Sequence, residues 1–172
     1  GIDPVMTKKT KESLIDWCYA AVTFQALKGK RVVVFGHDSM GMETALPHVS
    51  ATRNQFGIEI TRLDMKLLSD MLIKKSYDER ELLKLKKWIK SDCLKIEIPK
   101  ETDEVNLDKS LALYLIVRDM MKELNAVGGG FMSQLEWGSD SRGIPLPVAD
   151  IMESLFNSTF DHNGPKEVIP YA

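Results

Sequence analysis

Three polar segments of this chain hold residue types that could do chemistry. Residues 36–41 read Gly-His-Asp-Ser-Met-Gly, residues 134–147 open with Gln134 and contain Trp137, and residues 157–164 read Asn-Ser-Thr-Phe-Asp-His-Asn-Gly. Paired glycines can bind a phosphate, a serine, a histidine and an aspartate can form a nucleophilic triad, and histidine with carboxylates can hold a metal. Each of these three kinds of site requires its residues at a particular spacing, and the sequence can be compared with that spacing.

The first segment fits neither a phosphate loop nor a triad. Met42 and Glu43 follow it, where a phosphate loop has the lysine and hydroxyl residue that contact phosphate and magnesium. His37, Asp38 and Ser39 are adjacent, so their side chains diverge, whereas triads are assembled from separated segments. We therefore interpret this segment as a turn with a polar helix cap at Ser39.

A metal site needs donors that converge. His37, His48 and His162 are the three histidines of the sequence, and no two of them are spaced as an HxH or HxxxH pair. The run Asp161-His162-Asn163-Gly164 has the composition of a turn, in which Asp and Asn accept local hydrogen bonds and glycine takes the positive torsion. We predict no catalytic residue and no metal ligand in this chain.

Composition narrows the class of protein. The 172 residues, 44% hydrophobic and 28% charged, are enough for one domain with its own core. A net charge of −2 lacks the basic field of nucleic-acid-binding proteins, and the longest apolar run, residues 111–117, is far shorter than the roughly 20 residues that span a bilayer. Cys18 and Cys93 form no CxxC, which favours a reducing compartment. We predict a cytoplasmic protein that binds neither nucleic acid nor membrane.

Buried strands and amphipathic helices alternate along the chain. We interpret residues 1–5 as a remnant of cloning and residues 6–172 as a single α/β domain. Strands are predicted at 31–35, 58–63 and 126–131, with less regular candidates at 94–98 and 168–169. Helices are predicted from Ser13 to a stop at Gly29, after an N-cap at Asp64, at 78–90, at 107–124 and around 148–156. The helix at 107–124 is apolar around so much of its circumference that it must be largely buried.

This alternation indicates βαβ units and a mainly parallel sheet with helices on both faces. The predicted fold is therefore a three-layer α/β/α architecture, flavodoxin-like or Rossmann-like. Ligands of such sheets bind beyond the carboxyl ends of the strands. The segments 36–41 and 134–147 follow the strands predicted at 31–35 and 126–131, and they are therefore the two candidates for ligand binding.

Three separated motifs follow one another as they do in L-fucose isomerases, which are metal-dependent aldose–ketose isomerases. They are Ser39-Met40-Gly41, the run from Gly130-Phe131 through Gln134 to Trp137, and residues 157–164. The chain resembles the middle part of that family from about Trp17 onward. In the family the first metal-binding carboxylate comes almost immediately after the segment that matches residues 166–172. The resemblance thus implies a central domain that ends just before this ligand.

The resemblance implies a role in carbohydrate metabolism. The domain would contribute a wall of the sugar pocket and surfaces for assembly, and would be inactive alone. Manganese would serve the full-length enzyme, with none bound to this chain. The implied partners are an aldose or ketose, the remaining domains of the same polypeptide, and further copies in a homo-oligomer.

One loop departs from the family pattern. Where L-fucose isomerases carry Gly-Phe-Gln-Gly-Gln-x-x-Trp, this chain has Met132 in place of the first glutamine and keeps the second, at Gln134. A thioether cannot donate the hydrogen bond of an amide, which argues against fucose itself as the substrate. Gln134 and Trp137 are the substrate-binding residues that the resemblance implies here.

Two other functions fit the same sequence. One is a stand-alone flavodoxin-like module that binds a small ligand or regulates another protein. The other is a structural interaction domain whose apolar helix at 107–124 packs against a partner.

Overall fold

The computed structural model of the chain describes residues 7–36, 46, 48–92, 103–131 and 155–156. The helices and strands, in chain order, are α1 Lys8–Leu27, β1 Arg31–Phe35, α2 Val49–Phe56, β2 Glu59–Leu63, α3 Met65–Ile73, α4 Glu79–Asp92, α5 Glu104–Glu123 and β3 Ala126–Phe131. The predicted strands at 94–98 and 168–169 lie outside the described residues.

The three described strands form one parallel sheet in the order β2-β1-β3. In the middle of β1, Val33 pairs with Thr61 on one side and with Gly129 on the other. The connection from β1 to β2 leads to one side of the central strand, and the connection from β2 to β3 returns past β1 to its other side. Both connections are right-handed by the general rule for such crossovers. Helix α2 therefore lies on one face and the α3 to α5 segment on the other, which confirms the predicted three-layer α/β/α architecture.

Two helices begin earlier than their apolar patterns predicted, because polar caps extend them upstream. Thr7 caps α1, its side chain accepting a hydrogen bond from the Thr10 N–H at 3.2 Å. Asp103 caps α5 by accepting from the Asn106 N–H at 2.8 Å. A first turn held by a capping oxygen needs no apolar contact, so hydrophobic periodicity does not detect it.

Helix α5 is the centre of the core. Residues 110–118 are buried in succession, and successive residues of an α-helix point about 100° apart, so this segment is covered on every side. Helices α3 and α4 pack against it, and β3 lies on another side. Its buried neighbours from other elements include Val33, Phe35, Met65, Leu68, Leu72 and Leu85.

This burial confirms that the helix predicted at 107–124 is enclosed. It also shows that the apolar surface of residues 110–118 is used inside the fold and does not form an interface with a partner. Within the described part of the chain, no helix has both the length and the apolar character needed to cross a bilayer.

Charged side chains tie α4 to α5 at the margin of this core. Lys86 Nζ lies 2.7 Å from Asp108 Oδ1. The Arg118 side chain, which is 10% exposed, places Nη1 3.7 Å from Glu81 Oε2 and Nε 2.8 Å from Asp119 Oδ1. A buried guanidinium needs such partners because an uncompensated charge in the interior is costly.

Strand β3 approaches β1 more closely than a side chain would permit. A Cβ placed at Gly129 would lie 2.9 Å from the Val33 carbonyl oxygen and 3.4 Å from Met121 Cε. The first of these neighbours is backbone inside the sheet and cannot rotate away. Gly129 is therefore the residue that allows this part of the β1–β3 ladder to form at its observed spacing.

We predict that Gly129→Ala destabilises the fold by about 1–3 kcal/mol, because the added methyl must push two paired strands apart. Equilibrium urea unfolding followed by circular dichroism measures the change. Val127→Ala, at a partly exposed position of the same strand, is the control and should cost less. Equal midpoints for Gly129→Ala and the unsubstituted chain would show that the ladder has room for a Cβ.

Candidate functional site

The adjacent strands β1 and β3 end side by side. Their last residues, Phe35 and Phe131, are register partners, and the two rings stack with centroids 4.8 Å apart and an interplanar angle of 14°. Both side chains are buried. The stacked pair closes the core at the carboxyl edge of the sheet, where a ligand of an open parallel sheet would sit.

This junction is also the switch point of the topology. One crossover leaves β1 toward β2, whereas β3 lies on the opposite side of β1. The crevice where strand order reverses is the usual ligand position in doubly wound sheets. The segment 36–41 follows β1 directly, and Gln134 comes three residues after the end of β3. Both segments that sequence reasoning selected therefore leave the sheet from neighbouring strand ends.

The candidate contact residues Gln134 and Trp137 lie outside the described residues. So do Met132 and the motifs at 39–41 and 157–164. The structure gives the positions of the ends of β1 and β3, which the segments 36–41 and 134–147 follow in the sequence. Gln134 and Trp137 as sugar contacts remain predictions.

Gly36, the first residue after β1, has an unusual backbone conformation. Its φ of 94° lies in a region that residues with a Cβ rarely adopt, and its N–H donates to the Leu63 carbonyl at 2.8 Å. This hydrogen bond joins the end of β1 to the end of β2. The positive φ therefore explains why residue 36 is a glycine, and no phosphate ligand is needed to explain it.

Two polar side chains close to this edge serve as helix caps. Asp64 Oδ1 accepts from the Lys66 N–H at 2.7 Å at the start of α3, as predicted. His48 Nδ1 accepts from the Ala51 N–H at 3.1 Å at the start of α2. Sequence reasoning considered His48 only as a metal ligand, although a histidine just before a helical run can also supply a capping nitrogen. Because α2 and α3 each follow a strand, both begin at the carboxyl edge.

The described residues offer little reactive chemistry. No group of three or more His, Cys, Asp or Glu side chains among them could hold a metal ion. The Lys66 ammonium donates to both Asp70 carboxylate oxygens, at 2.7 and 2.8 Å, and lowers the pKa of that carboxyl. This ion pair lies on the exposed surface of α3 and joins residues four positions apart. Such a pair is an ordinary contact along the surface of a helix.

A cluster at the opposite edge of the sheet was missed by sequence reasoning. Arg31 Nη1 donates to the Leu124 carbonyl at 3.0 Å, and Nη2 lies 3.5 Å from Glu59 Oε2. Arg53 Nη2 is 3.3 Å from Glu59 Oε1. The guanidinium of Arg31 thereby joins the end of α5 to the start of the sheet. The available signal was a single arginine as the first residue of an apolar strand, which is too common to interpret without the fold.

Comparison with known proteins extends beyond the described residues. No family model matches the chain. The L-fucose isomerase of Clostridium perfringens is 25% identical over 199 residues, covering 99% of this chain and 33% of the relative. Those of Haemophilus influenzae strain PittEE and Citrobacter koseri are each 25% identical, over 185 and 188 residues, covering 94% and 96% of this chain and 31% of each relative.

The chain thus spans about a third of the length of the curated relatives it matches. The match runs through nearly the whole chain and therefore does not depend on the few motifs that first suggested it. The predicted resemblance is confirmed: this chain is similar to about one third of an L-fucose isomerase.

Proposed function

We propose that this chain is one domain of a metal-dependent aldose–ketose isomerase of carbohydrate metabolism, and that it forms a wall of the sugar pocket. The observation that carries this proposal is the meeting of β1 and β3 at the switch point of the sheet. Segments with two of the three family motifs follow these strands. The relatives named L-fucose isomerases support the same class of enzyme.

Aldose–ketose isomerisation moves a proton between C1 and C2 of the sugar. Through an enediol, the reaction needs a base, an acid and a means of polarising the carbonyl and hydroxyl oxygens. The described residues hold no cluster of donors for manganese, the metal we propose for the complete enzyme. The Asp64 carboxylate near the ligand edge already caps α3. We derive no chemical step from this chain and propose that the metal ligands belong to other domains.

The proposed task of this domain is to bind and orient the sugar. Gln134, three residues beyond the end of β3, has an amide that can both donate to and accept from a hydroxyl. Trp137 follows Gln134 three positions later in the sequence. Met132 has neither capacity at the position where the family has its first glutamine. We therefore propose a sugar other than fucose as the substrate.

A stand-alone module that binds a small ligand is the second candidate. The switch point of the sheet, with α2 and α3 both following strands that end there, would serve the binding of a small ligand by such a module as well. Sugar binding alone would fit both candidates. The effect of Gln134 on turnover in a longer isomerase distinguishes them.

We expect the chain alone to convert no aldose to ketose, with or without manganese. A colorimetric ketose assay checks this, with the L-fucose isomerase of Clostridium perfringens as the positive control. Turnover that scales with protein and survives repurification would contradict the proposal. It would direct attention to Glu136, Asp161 and His162 as metal ligands.

In an isomerase polypeptide that contains this chain, Gln134→Leu should lower kcat/KM about ten-fold or more, because one donor and one acceptor are lost at similar volume. The melting temperature should change little. Gln55→Leu, on the exposed surface of α2, is the matched control and should leave both quantities unchanged. Parallel losses of stability and activity would identify Gln134 as a brace for its loop, and unchanged kinetics would remove it from the pocket.

A further inference from the structure

Helix α2 is held differently at its two ends. No residue within Val49–Phe56 is buried, and eight residues are too few for a helix to be stable in water by itself. At the carboxyl end, the Gly57 N–H donates to the Arg53 carbonyl at 2.8 Å, and the Gly57 carbonyl accepts from the Gly29 N–H at 2.8 Å. Arg53 Nη2 also lies 3.3 Å from Glu59 Oε1. These contacts tie the carboxyl end of α2 to the amino edge of the sheet.

The start of α2 depends on a histidine. His48 is the N-cap residue, and its Nδ1 accepts a hydrogen bond from the Ala51 N–H at 3.1 Å. A backbone N–H can only donate, so Nδ1 must be the acceptor, and the neutral ring carries its proton on Nε2. When the ring gains a second proton, both nitrogens become donors. The capping hydrogen bond therefore exists only while His48 is neutral.

The charges around this end of α2 do not favour a protonated His48. The first turn of α2 contains no acidic residue, and the free N–H groups at a helix start repel a cation. Strand β2 packs against α2, and its charged residues are Glu59 and Arg62. Glu59 begins β2 and is paired with Arg53 and Arg31, whereas Arg62 brings a further positive charge. The Asp64 carboxylate, which follows β2, caps α3.

We propose that His48 is a pH-sensitive anchor of α2, in which the neutral ring holds the first turn and protonation releases it. Unperturbed histidines exchange a proton between about pH 5 and 8. Because the cap requires the neutral ring, the anchor holds above the titration of His48 and is lost as the pH falls through it.

The release occurs at the ligand edge of the sheet. Helix α2 follows β1 in the chain, so it begins at the carboxyl edge. Residues 37–47, which contain Ser39-Met40-Gly41, connect β1 to His48. Protonation of His48 thus removes the hydrogen bond that holds the far end of the connection in which one candidate ligand segment lies. This inference stands independently of the proposed isomerase function.

NMR spectroscopy of the isotope-labelled chain, titrated from about pH 8 to about pH 5, tests the proposal. The ring nitrogen shifts of His48 should show a proton on Nε2 alone at high pH. The Cα shifts of residues 49–52 should lose helical character along the same titration curve. The ratio of formed to frayed first turn should fall on the order of five-fold, as when a capping side chain is removed. The first turn of α3, which Asp64 caps, is the internal control and should keep its shifts.

Three variants separate the titration of His48 from other effects of pH. His48→Asn supplies a capping oxygen that does not titrate, so the first turn should stay formed over the whole range. His48→Ala removes the cap, and the first turn should be frayed at every pH. His37→Asn with His162→Asn leaves His48 as the only histidine of the sequence and should keep the transition unchanged.

Three outcomes would overturn the proposal. The first is a neutral His48 with its proton on Nδ1, since that nitrogen could not then accept. The second is constant helical shifts in residues 49–52 while the ring titrates. Both are measured on the unsubstituted chain and do not depend on a variant that folds. The third is a transition of the same size in His48→Asn, which would assign the pH dependence to another group.

Discussion

The enclosure of α5 is the constraint on which the rest of the described fold depends. Its segment 110–118 is apolar on nearly every side, so no single surface can cover it. The sheet, α3 and α4 each cover part of it. The charge of Arg118 at its margin is partnered by Glu81 and Asp119. Burial of each large apolar side chain contributes about 1.5–3 kcal/mol, so a layer missing from around α5 would cost several such contributions.

The sheet that lies against α5 also fixes the strand ends from which the loops of the predicted pocket start. Gly129 permits β3 to approach β1 closely, and this pairing aligns Phe35 with Phe131 at the carboxyl edge. Gly36 then turns the chain out of β1 while its N–H holds the end of β2. The same close packing that stabilises the core therefore brings two loops of the predicted pocket to adjacent starting points.

Helices α1 and α5 show how one sequence signature can lead to opposite environments. Both are 20-residue helices with apolar residues around most of their circumference. Helix α5 packs against α3, α4 and β3, which together bury it. In α1, by contrast, no residue is buried by the rest of the chain. Apolarity on all sides predicts that a helix is covered, but it does not say whether the cover belongs to the same molecule.

The sequence by itself determined the three parallel strands, the helices between them, the cap at Asp64, the burial of α5 and the resemblance to L-fucose isomerases. These depend on local patterns of apolar residues, caps and short motifs, which act over a few neighbours in the chain. Only the tertiary structure decided that Phe35 meets Phe131, that Arg31 joins the end of α5 to the sheet, that His48 is a cap and that α1 is exposed. Contacts such as that of Arg31 with Leu124 join residues far apart in sequence, and no local pattern encodes which distant partner an arginine or an apolar face will meet.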